Sequence, residues 1–327
     1  YIGRQKGIEP DSRRCRPSPR DMDLKADPSL PRRMEAIGFI GLGQLGAPMA
    51  WNVAESFDLT VYNRSPRAAK PFEEDGIPLA TTPRDVAAQS EAVIIVVRDG
   101  DAVLDVLRGD QGVLAGLEEG TVVIQMSTIS PTATEQARDL VEGAGGRYVD
   151  APVLGTVPAA EAGTLSVLAS GPDATIDAVE PVLATMGEPI IHAGSVGQGT
   201  KLKLSLNLAL GGMMEAYAEA LALAEAHDID VETTIEAFES GGLSSPLFGG
   251  KSAKIADGDF EPQFKLDLLE KDLSLALEAG GDVPMPLPVA GAAREAVEAA
   301  RGLGHGDEDM AAVIRYLEAV GDLEVRR

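Results

Sequence analysis

Cysteine and histidine are scarce in this sequence. The 327 residues include one cysteine, Cys15, and three widely separated histidines, His192, His227 and His305. A single cysteine excludes an intrachain disulfide and a cysteine-ligated metal site. No histidine belongs to an HExxH or similar run, so neither a zinc site nor a Ser-His-Asp site has support, and we expect no metal.

Long apolar runs are also missing. No stretch approaches the roughly 18 apolar residues of a membrane span, so we expect a soluble protein without a membrane partner. Residues 1–33 lack the apolar core of a secretory signal and are rich in Arg, Pro and Asp. This composition predicts a disordered tail and a cytoplasmic protein. A nucleic-acid-binding arm or a targeting signal is the alternative for the tail.

Positive charge is in short supply. The chain has 28 Lys and Arg against 52 Asp and Glu, a formal net charge of −24. Residues 1–33 carry nine basic and five acidic side chains, which leaves −28 on residues 34–327. Such a body repels nucleic acid and anionic membranes, so we expect neither as a partner. Acidic residues are scattered along the body, which holds only seven of the chain's nine lysines. This composition indicates a halophilic protein whose self-repulsion salt would screen; an ordinary acidic cytosolic protein is the alternative.

Hydrophobic patterning divides the chain into two halves. Its length and its 44% hydrophobic content suggest two domains. Apolar strands alternate with helical stretches in the first half, which predicts a parallel α/β sheet. The predicted strands are 36–40, 59–63, 91–99 and 120–128, with three more within 146–155, 163–171 and 189–194. After Gly199 Ala, Leu and Glu dominate, which predicts helices only. We therefore expect a disordered tail followed by two domains, with boundaries at 1–33, 34–196 and 197–327.

The stretch KLKLSLNLALGG, residues 201–212, holds two of the nine lysines among leucines. Its strict apolar–polar alternation is typical of a half-buried strand. However, Leu and Ala are good helix formers, Val and Ile are absent, and no proline interrupts the sequence that follows. We therefore predict one long helix over about residues 200–227. Leucine on every side predicts burial all round, as for a helix wedged between two domains.

Three glycines in GxGxxG spacing, Gly41, Gly43 and Gly46, follow the first predicted strand and open a helix. In this context the first glycine permits a tight turn, the second lets a pyrophosphate approach the backbone, and the third lets the helix pack close to the strand. The helix N-terminus adds free N–H groups and partial positive charge. The motif predicts a dinucleotide site, with an ordinary glycine-rich turn as the alternative.

The second predicted strand ends at Asn63, where an NAD-preferring site usually places Asp or Glu for the ribose hydroxyls. Here the sequence reads Asn63, Arg64, Ser65, with Arg67 close behind. Arg64 can stack on adenine and pair with a 2′-phosphate, and Ser65 is a further donor. We expect NADP(H) to be preferred and NAD(H) to be possible. A surface arginine in a loop is the alternative.

On the predicted long helix, positions i and i+4 share a face. Lys203 therefore aligns with Asn207, and Lys201 aligns with Ser205. A buried ammonium can give a proton to a carbonyl oxygen while the Asn amide holds the substrate or the lysine. Burial also lowers a lysine pKa from about 10.4 toward neutrality. The residues alone leave open whether Lys203 has this role or extends its ammonium to solvent.

Four motifs follow one another at residues 38–50, 150–171, 197–207 and 271–277. In this order they make the chain resemble the β-hydroxyacid dehydrogenase family. GFIGLGQLGAPMA (38–50) resembles the family's cofactor loop, and DAPVLGTVPAAEAGTLSVLASG (150–171) resembles its substrate-binding signature. GQGTKLKLSLN (197–207) is similar to its catalytic GxGxxxKxxxN helix, and KDLSLAL (271–277) to its later lysine motif. The resemblance spans about residues 36–322. Within the family, the chain resembles 3-hydroxyisobutyrate dehydrogenase and, more closely, the glyoxylate/succinic semialdehyde reductases.

The resemblance implies a fold and a set of site residues. The fold would be an N-terminal Rossmann-like domain and a C-terminal all-α domain similar to that of 6-phosphogluconate dehydrogenase, with the site in the cleft between them. Lys203 falls where the family has its proton-transferring lysine, and Asn207 falls on its active-site asparagine. Thr128 looks like the residue that touches both nicotinamide and substrate. The cofactor contacts would be Gly41, Leu42, Gly43, Gln44, Leu45, Gly46, Asn63, Arg64, Ser65, Thr128 and Lys271.

The substrate contacts implied by the resemblance include one departure. Phe264 and Asp272 match positions beside the substrate in the semialdehyde reductases. The family usually has Ser after DAPV, which helps to hold the substrate carboxylate, and here Leu154 replaces it. The backbone N–H groups of Gly155 and Thr156 could still bind an anion. We therefore expect a carboxylate substrate with a longer or less polar chain beside the carbonyl.

The function implied by the resemblance is NADP(H)-dependent interconversion of a small semialdehyde acid and its hydroxy acid, with homodimers or homotetramers as the assembly. Three alternatives remain. The first is NAD-dependent oxidation of 3-hydroxyisobutyrate, and the second is an imine reductase of the same architecture. The third is a non-catalytic scaffold on a dehydrogenase fold, which would be expected to lose the lysine.

Overall fold

Strands and helices alternate through residues 34–196, as the hydrophobic pattern predicts. The computed structural model describes residues 34–327, so the predicted disordered tail lies outside the described residues. The strands are β1 (Ala36–Ile40), β2 (Asp58–Tyr62), β3 (Ala92–Ile95), β4 (Val122–Gln125), β5 (Arg147–Asp150), β6 (Val153–Leu154), β7 (Ser166–Ser170) and β8 (Ile190–Gly194). The helices between them are α1 (Gly46–Ala54), α2 (Pro66–Glu74), α3 (Pro83–Ala87), α4 (Gly100–Leu107), α5 (Val113–Gly116), α6 (Pro131–Gly143), α7 (Val157–Glu161) and α8 (Asp173–Met186).

These strands form one eight-stranded sheet in the order β2-β1-β3-β4-β5-β7-β6, with β8 beside β7. The first five strands pair in parallel, as predicted. At the far edge, β7 runs antiparallel to both β5 and β6. Helix α7, which connects β6 to β7, has only five residues, fewer than the crossover that a parallel pair requires. The far edge of the sheet therefore departs from the predicted parallel order.

The sheet is buried on both faces, which explains the uninterrupted apolar sequence of its central strands. In β3, Ala92 and Ile94 belong to one hydrophobic cluster, whereas Val93 and Ile95 belong to another. All four side chains are fully buried. Because the strand is buried on both sides, its sequence shows no alternation.

The second half is helical, as predicted. It contains α9 (Gln198–Glu225), α10 (Val231–Ser240), α11 (Pro246–Asp257), α12 (Leu266–Asp282), α13 (Pro288–Gly302), a short 3₁₀ helix (Met310–Val313) and α14 (Ile314–Gly321). A separate hydrophobic cluster fills this half. Contacts nevertheless join residues 34–327 into one unit, so the domain boundary at 196/197 stays a prediction. Among the described helices, none is both long enough and apolar enough to cross a membrane.

Helix α9 has 28 residues, about 42 Å of helix, which agrees with the predicted single long helix. The prediction that it is buried all round is wrong. Leu206 is 38% exposed, Met213 40% and Leu223 62%, whereas Lys203 and Asn207 are buried. The alternating leucines point in different directions because each second residue of a helix advances by about 200°.

Candidate active site

Two of the three glycines in the GxGxxG motif meet a steric demand at the end of β1, and the third leaves its backbone uncovered. Gly41 has φ +103°, and a Cβ there would lie 2.0 Å from the carbonyl oxygen of Val96. A Cβ on Gly46 would lie 2.0 Å from the carbonyl oxygen of Gly41, so the start of α1 packs directly on the turn. Gly43 has no neighbour within 4 Å of the Cβ position and leaves backbone open. Bare backbone beside a helix N-terminus suits a pyrophosphate.

Asn63 braces this loop. Its Oδ1 accepts a hydrogen bond from the amide of Leu42 at 2.9 Å, and its Nδ2 donates to the carbonyl oxygen of Ser65 at 3.0 Å. The side chain of Leu42 is buried in the hydrophobic cluster that also contains Ile37 and Phe39 of β1. Both the amide and the side chain of Leu42 therefore contact other parts of the protein, and Leu42 does not face the predicted cofactor site. Asn63 fixes the glycine turn against the end of β2, a bracing role that sequence reasoning missed.

A cavity of about 850 Å³ begins at this loop and continues to the helical half. Its size is typical of a small-molecule or cofactor site. The predicted site residues in its wall are Gly41, Gly43, Gln44, Leu45, Gly46, Asn63, Arg64, Ser65, Thr128, Gly155, Lys203, Phe264, Lys271 and Asp272. Four predicted residues do not line the cavity: Leu42, Leu154, Thr156 and Asn207.

The cavity wall is more basic than the rest of the protein. It contains Arg64, Arg98, Arg108, Lys203 and Lys271, and its carboxylates are Asp105, Asp110 and Asp272. A net positive wall in a body of charge −28 attracts anions. Sequence reasoning missed Arg98 and Arg108. The available signal for Arg98 was its place just after a buried parallel strand, where ligands of such sheets bind.

Lys203 lies on the buried face of α9 and is 8% exposed. The pKa of its ammonium is lowered from 10.5 to about 8, mainly by burial; the Asp272 carboxylate opposes this shift and the Lys271 ammonium adds to it. Among the described residues, none forms a hydrogen bond to its Nζ. The Lys203 ammonium is therefore partly desolvated and has a pKa close to neutral pH. It lines the cavity, where its N–H groups can donate to a ligand.

Asp272 connects the groups around Lys203. Its Oδ2 accepts from Nδ2 of Asn207 at 2.5 Å, and its Oδ1 accepts from Nζ of Lys271 at 2.7 Å. The Lys271 ammonium also donates to the carbonyl oxygen of Thr128 at 2.7 Å. This chain joins α9, α12 and the loop after β4. Asn207 therefore reaches the cavity through Asp272 rather than directly.

Two glycines place the first turn of α9 on the sheet. Gly197 has φ +88° at the N-cap, a conformation that favours glycine. A Cβ on Gly199 would lie 2.4 Å from the carbonyl oxygen of Leu168 in β7. Close approach of helix to strand fixes the direction in which α9 leaves the sheet. The GxGxxxK spacing thereby sets where the side chain of Lys203 emerges.

Asp150, at the end of β5, holds that first turn. Its carboxylate accepts from the Thr200 amide at 2.9 Å, the Thr200 hydroxyl at 2.8 Å and the Ser170 hydroxyl at 3.0 Å. Burial raises the pKa of Asp150, and these hydrogen bonds oppose that rise. Sequence reasoning missed this residue, although a carboxylate at the end of a buried strand was visible in DAPV.

The segment after DAPV contributes one residue to the cavity wall. Leu154 ends β6, pairs with Ser166 and is half-buried. Gly155 has φ +138°, and a Cβ there would lie 2.6 Å from Cδ2 of Leu165. Only Gly155 reaches the cavity, so the substitution of Leu154 for the family's serine acts from beside the wall.

The family models match both halves of the chain. Residues 36–194 match the NAD binding domain of 6-phosphogluconate dehydrogenase. Residues 197–317 match the NAD-binding domain of NADP-dependent 3-hydroxyisobutyrate dehydrogenase. With the Rossmann-like sheet, the glycine turn and the helical half, these matches define a nicotinamide-dependent oxidoreductase. The chain belongs to the β-hydroxyacid dehydrogenase family, as the sequence motifs predict.

Individual relatives span nearly the whole body. Glyoxylate/succinic semialdehyde reductase 1 of Arabidopsis thaliana is 35% identical over 86% of this chain and 98% of its own length. The 3-sulfolactaldehyde reductase of Escherichia coli is 34% identical over 87% of this chain and 96% of its own. The crystal structure of 3-hydroxyisobutyrate dehydrogenase from Salmonella typhimurium is 27% identical over 86% of this chain and 99% of its own, with a TM-score of 0.79.

Proposed function

We propose that the protein reduces the carbonyl group of a small aldehyde acid with NADPH, and that Lys203 supplies the proton. The family supports redox chemistry on a hydroxy acid or its aldehyde. One observation supports Lys203 as the proton donor to a substrate beside the cofactor: the buried Lys203 ammonium lines the same cavity as the glycine turn.

The residues present fit a nicotinamide dinucleotide. Open backbone at Gly43 and the N-terminus of α1 would hold the pyrophosphate. Arg64 and Ser65 line the cavity beside the end of β2, where they would hold a 2′-phosphate. The bound cofactor would supply the hydride. Arg64, Arg98 and Arg108 offset the negative charge of three phosphate groups in an otherwise acidic protein.

In the reaction, hydride addition to the carbonyl carbon leaves negative charge on the carbonyl oxygen. The Lys203 ammonium donates a proton to this oxygen and becomes a neutral amine, which its lowered pKa permits near neutral pH. Asp272, held by Asn207 and Lys271, keeps a carboxylate near the ammonium. Lys271 also fixes the backbone of Thr128, which lines the cavity where nicotinamide and substrate would meet.

The substrate carboxylate would bind beside the backbone of Gly155, which lines the same cavity as Lys203. Thr156, the N-cap residue of α7, follows Gly155 but lies outside the cavity wall. Leu154 supplies no hydroxyl donor, which favours a substrate with a longer or less polar chain than the family serine would hold. Phe264 provides an apolar surface on the same wall.

The direct test is oxidation of NADPH and NADH, followed by absorbance, with glyoxylate and with succinic, methylmalonate and tartronate semialdehydes in high salt. Lys203→Met is expected to lower turnover by about a thousandfold and to leave NADPH binding unchanged. The matched control is Lys201→Met, an exposed lysine on the same helix. Full turnover in Lys203→Met would refute the assignment.

Cofactor preference is tested separately. Arg64→Ala is expected to weaken NADPH binding by about tenfold to a hundredfold and NADH binding by less than about threefold, because only NADPH carries the 2′-phosphate. Arg67→Ala, an exposed arginine outside the cavity wall, is the control. Equal weakening of both cofactors argues against 2′-phosphate recognition and for NAD-dependent oxidation of a hydroxy acid.

Two other functions have relatives behind them. An imine reductase from Myxococcus stipitatus in complex with NADP+ is 25% identical, with a TM-score of 0.59, over 86% of this chain and 99% of its own. Cytokine-like nuclear factor N-PAC of Homo sapiens is 32% identical over 85% of this chain but 51% of its own length. Retention of Lys203 and the −28 charge favour an aldehyde reductase over both. Cyclic imines in the same assay test the first alternative.

The expected assembly is a homodimer or homotetramer. One face of α9 bears uncharged residues at alternating intervals of four and three: Leu202, Leu206, Ala209, Met213, Ala216, Ala220 and Leu223. Such spacing is typical of a helix that packs against another helix. Light scattering is expected to give at least twice the mass of the 34.1 kDa chain. A monomer would contradict this.

A further inference from the structure

A buried ion pair lies in the helical half, outside the cavity wall. Nζ of Lys251, on α11, contacts the Asp309 carboxylate at 2.8 Å and 2.9 Å, one distance to each oxygen. Lys251 is 3% exposed and Asp309 is fully buried. A buried ion pair gives little net stability compared with apolar packing of the same volume, because both charges lose their hydration. We therefore ask which parts of the backbone this ion pair holds in position.

The Asp309 carboxylate holds two separate stretches of backbone. Its Oδ2 accepts from the amide of Gln263 at 2.9 Å and from that of Phe264 at 3.3 Å. Its Oδ1 accepts from the amide of Ala311 at 3.1 Å, in the 3₁₀ helix. One side chain thus ties the loop before α12 to the segment before α14.

Further backbone hydrogen bonds fasten the same loop. The amide of Asp309 donates to the carbonyl oxygen of Phe260 at 2.9 Å, and the amide of Met310 donates to that of Phe264 at 2.8 Å. The side chains held in this way matter, because Gln263 and Phe264 line the cavity together with Lys203 and Asp272. The position of this part of the wall therefore depends on Asp309.

We propose that Lys251 and Asp309 are positioning residues that fix the Gln263–Phe264 wall and so set the size of the group accepted next to the substrate carbonyl. The inference rests on the proposed function, since it takes the substrate to lie against that wall. Lys251 places its ammonium against both oxygens of the Asp309 carboxylate, and each oxygen also accepts at least one backbone hydrogen bond. Gln263 becomes a specificity-determining residue, with its side-chain carboxamide available to a polar group on the far end of the substrate.

The test compares two variants with a matched control. Asp309→Asn replaces one accepting oxygen with an NH₂ group. That group must then face a backbone N–H group or the Lys251 ammonium, and a donor facing a donor forms no hydrogen bond. Lys251→Met removes the counter-charge and leaves every backbone bond partner in place. The control is Glu318→Gln, which also alters a buried carboxylate of this half, one bonded to Val325, Arg326 and Arg315 but outside the cavity wall.

Two readouts are made on the whole chain in high salt. The first readout is KM and kcat for glyoxylate and succinic semialdehyde. The second is the dissociation constant of succinate from the NADP+-loaded protein, measured by calorimetry. Both variants are expected to raise KM for succinic semialdehyde and weaken succinate binding by about tenfold. The kcat and the KM for NADPH should stay within about twofold of wild type, and the ratio of kcat/KM for the two aldehydes should change.

The proposal is overturned if the variants change the aldehyde ratio and succinate binding no more than Glu318→Gln does at a similar loss of thermal stability. If Asp309→Asn does not fold, Lys251→Met decides. Failure of the proposed function is distinguishable, since the wild-type protein would then reduce none of the aldehydes.

Discussion

Lys203 is the residue on which the account depends, and its burial has a thermodynamic cost. Its pKa is 10.5 unperturbed and about 8 in the folded protein. The folded state therefore binds fewer protons than the unfolded chain between these values, and stability rises with pH across that window. Below about pH 8 the full cost of burying the charge is present.

Removing this charge should stabilise the protein. Lys203→Met is expected to raise the free energy of unfolding by up to about 3 kcal/mol at pH 7, with the gain shrinking toward pH 10, while turnover is lost. Urea unfolding at the two pH values measures this. Lys201→Met, at an exposed position, should change neither stability nor turnover. A stability loss at pH 7 would show that the Lys203 ammonium is well solvated.

At the scale of the element, α9 also carries a second buried charge. Tyr316 of α14 donates a hydrogen bond to Oε1 of Glu215 at 2.5 Å, and within residues 34–327 Oε2 of Glu215 has no partner. Burial raises the pKa of Glu215 from 4.5 to about 7, the Tyr316 hydroxyl opposes this, and Glu219 adds repulsion. The folded state therefore binds more protons between these values, and the contact of α9 with α14 weakens as pH rises through them.

Glu215→Gln removes that pH dependence. The variant is expected to match wild type at pH 5 and to be more stable by up to about 3 kcal/mol at pH 8, where wild-type Glu215 is ionised. Denaturant unfolding at both pH values measures the difference. Glu236→Gln, at an exposed position of α10, is the control and should show no pH-dependent change. A constant difference between wild type and Glu215→Gln would rule out titration of Glu215 in this range.

Elements also show how far the sequence could predict the structure. Glycine spacing predicted the turn at β1, and helix propensity predicted α9 despite its strand-like alternation. Contacts between distant residues could not be read from local pattern. The bond from Asn63 to Leu42, the three bonds to Asp150 and the bridge from Lys271 to Thr128 all depend on how strands and helices come together. Even the burial of α9 depended on which helices pack beside it.

At the scale of the whole molecule, negative charge surrounds a basic cavity. Residues 34–327 carry −28, and self-repulsion of this size opposes the compact state unless salt screens it. The Debye length falls from about 10 Å at 0.1 M salt to about 3 Å at 1 M. We expect the unfolding temperature to rise by several degrees from about 0.1 M to about 2 M KCl. Sucrose at equal osmolality controls for solvent exclusion. An unfolding temperature independent of salt would favour an ordinary acidic protein.

The pH dependence of kcat/KM for aldehyde reduction tests the central claim most directly, because it reports the protonation of the free enzyme's proton donor. With Lys203 as donor, kcat/KM should be constant below about pH 8 and fall about tenfold per pH unit above it, matching a pKa of about 8. A profile that stays level to about pH 10 would contradict the account, since an ordinary exposed lysine titrates near 10.4.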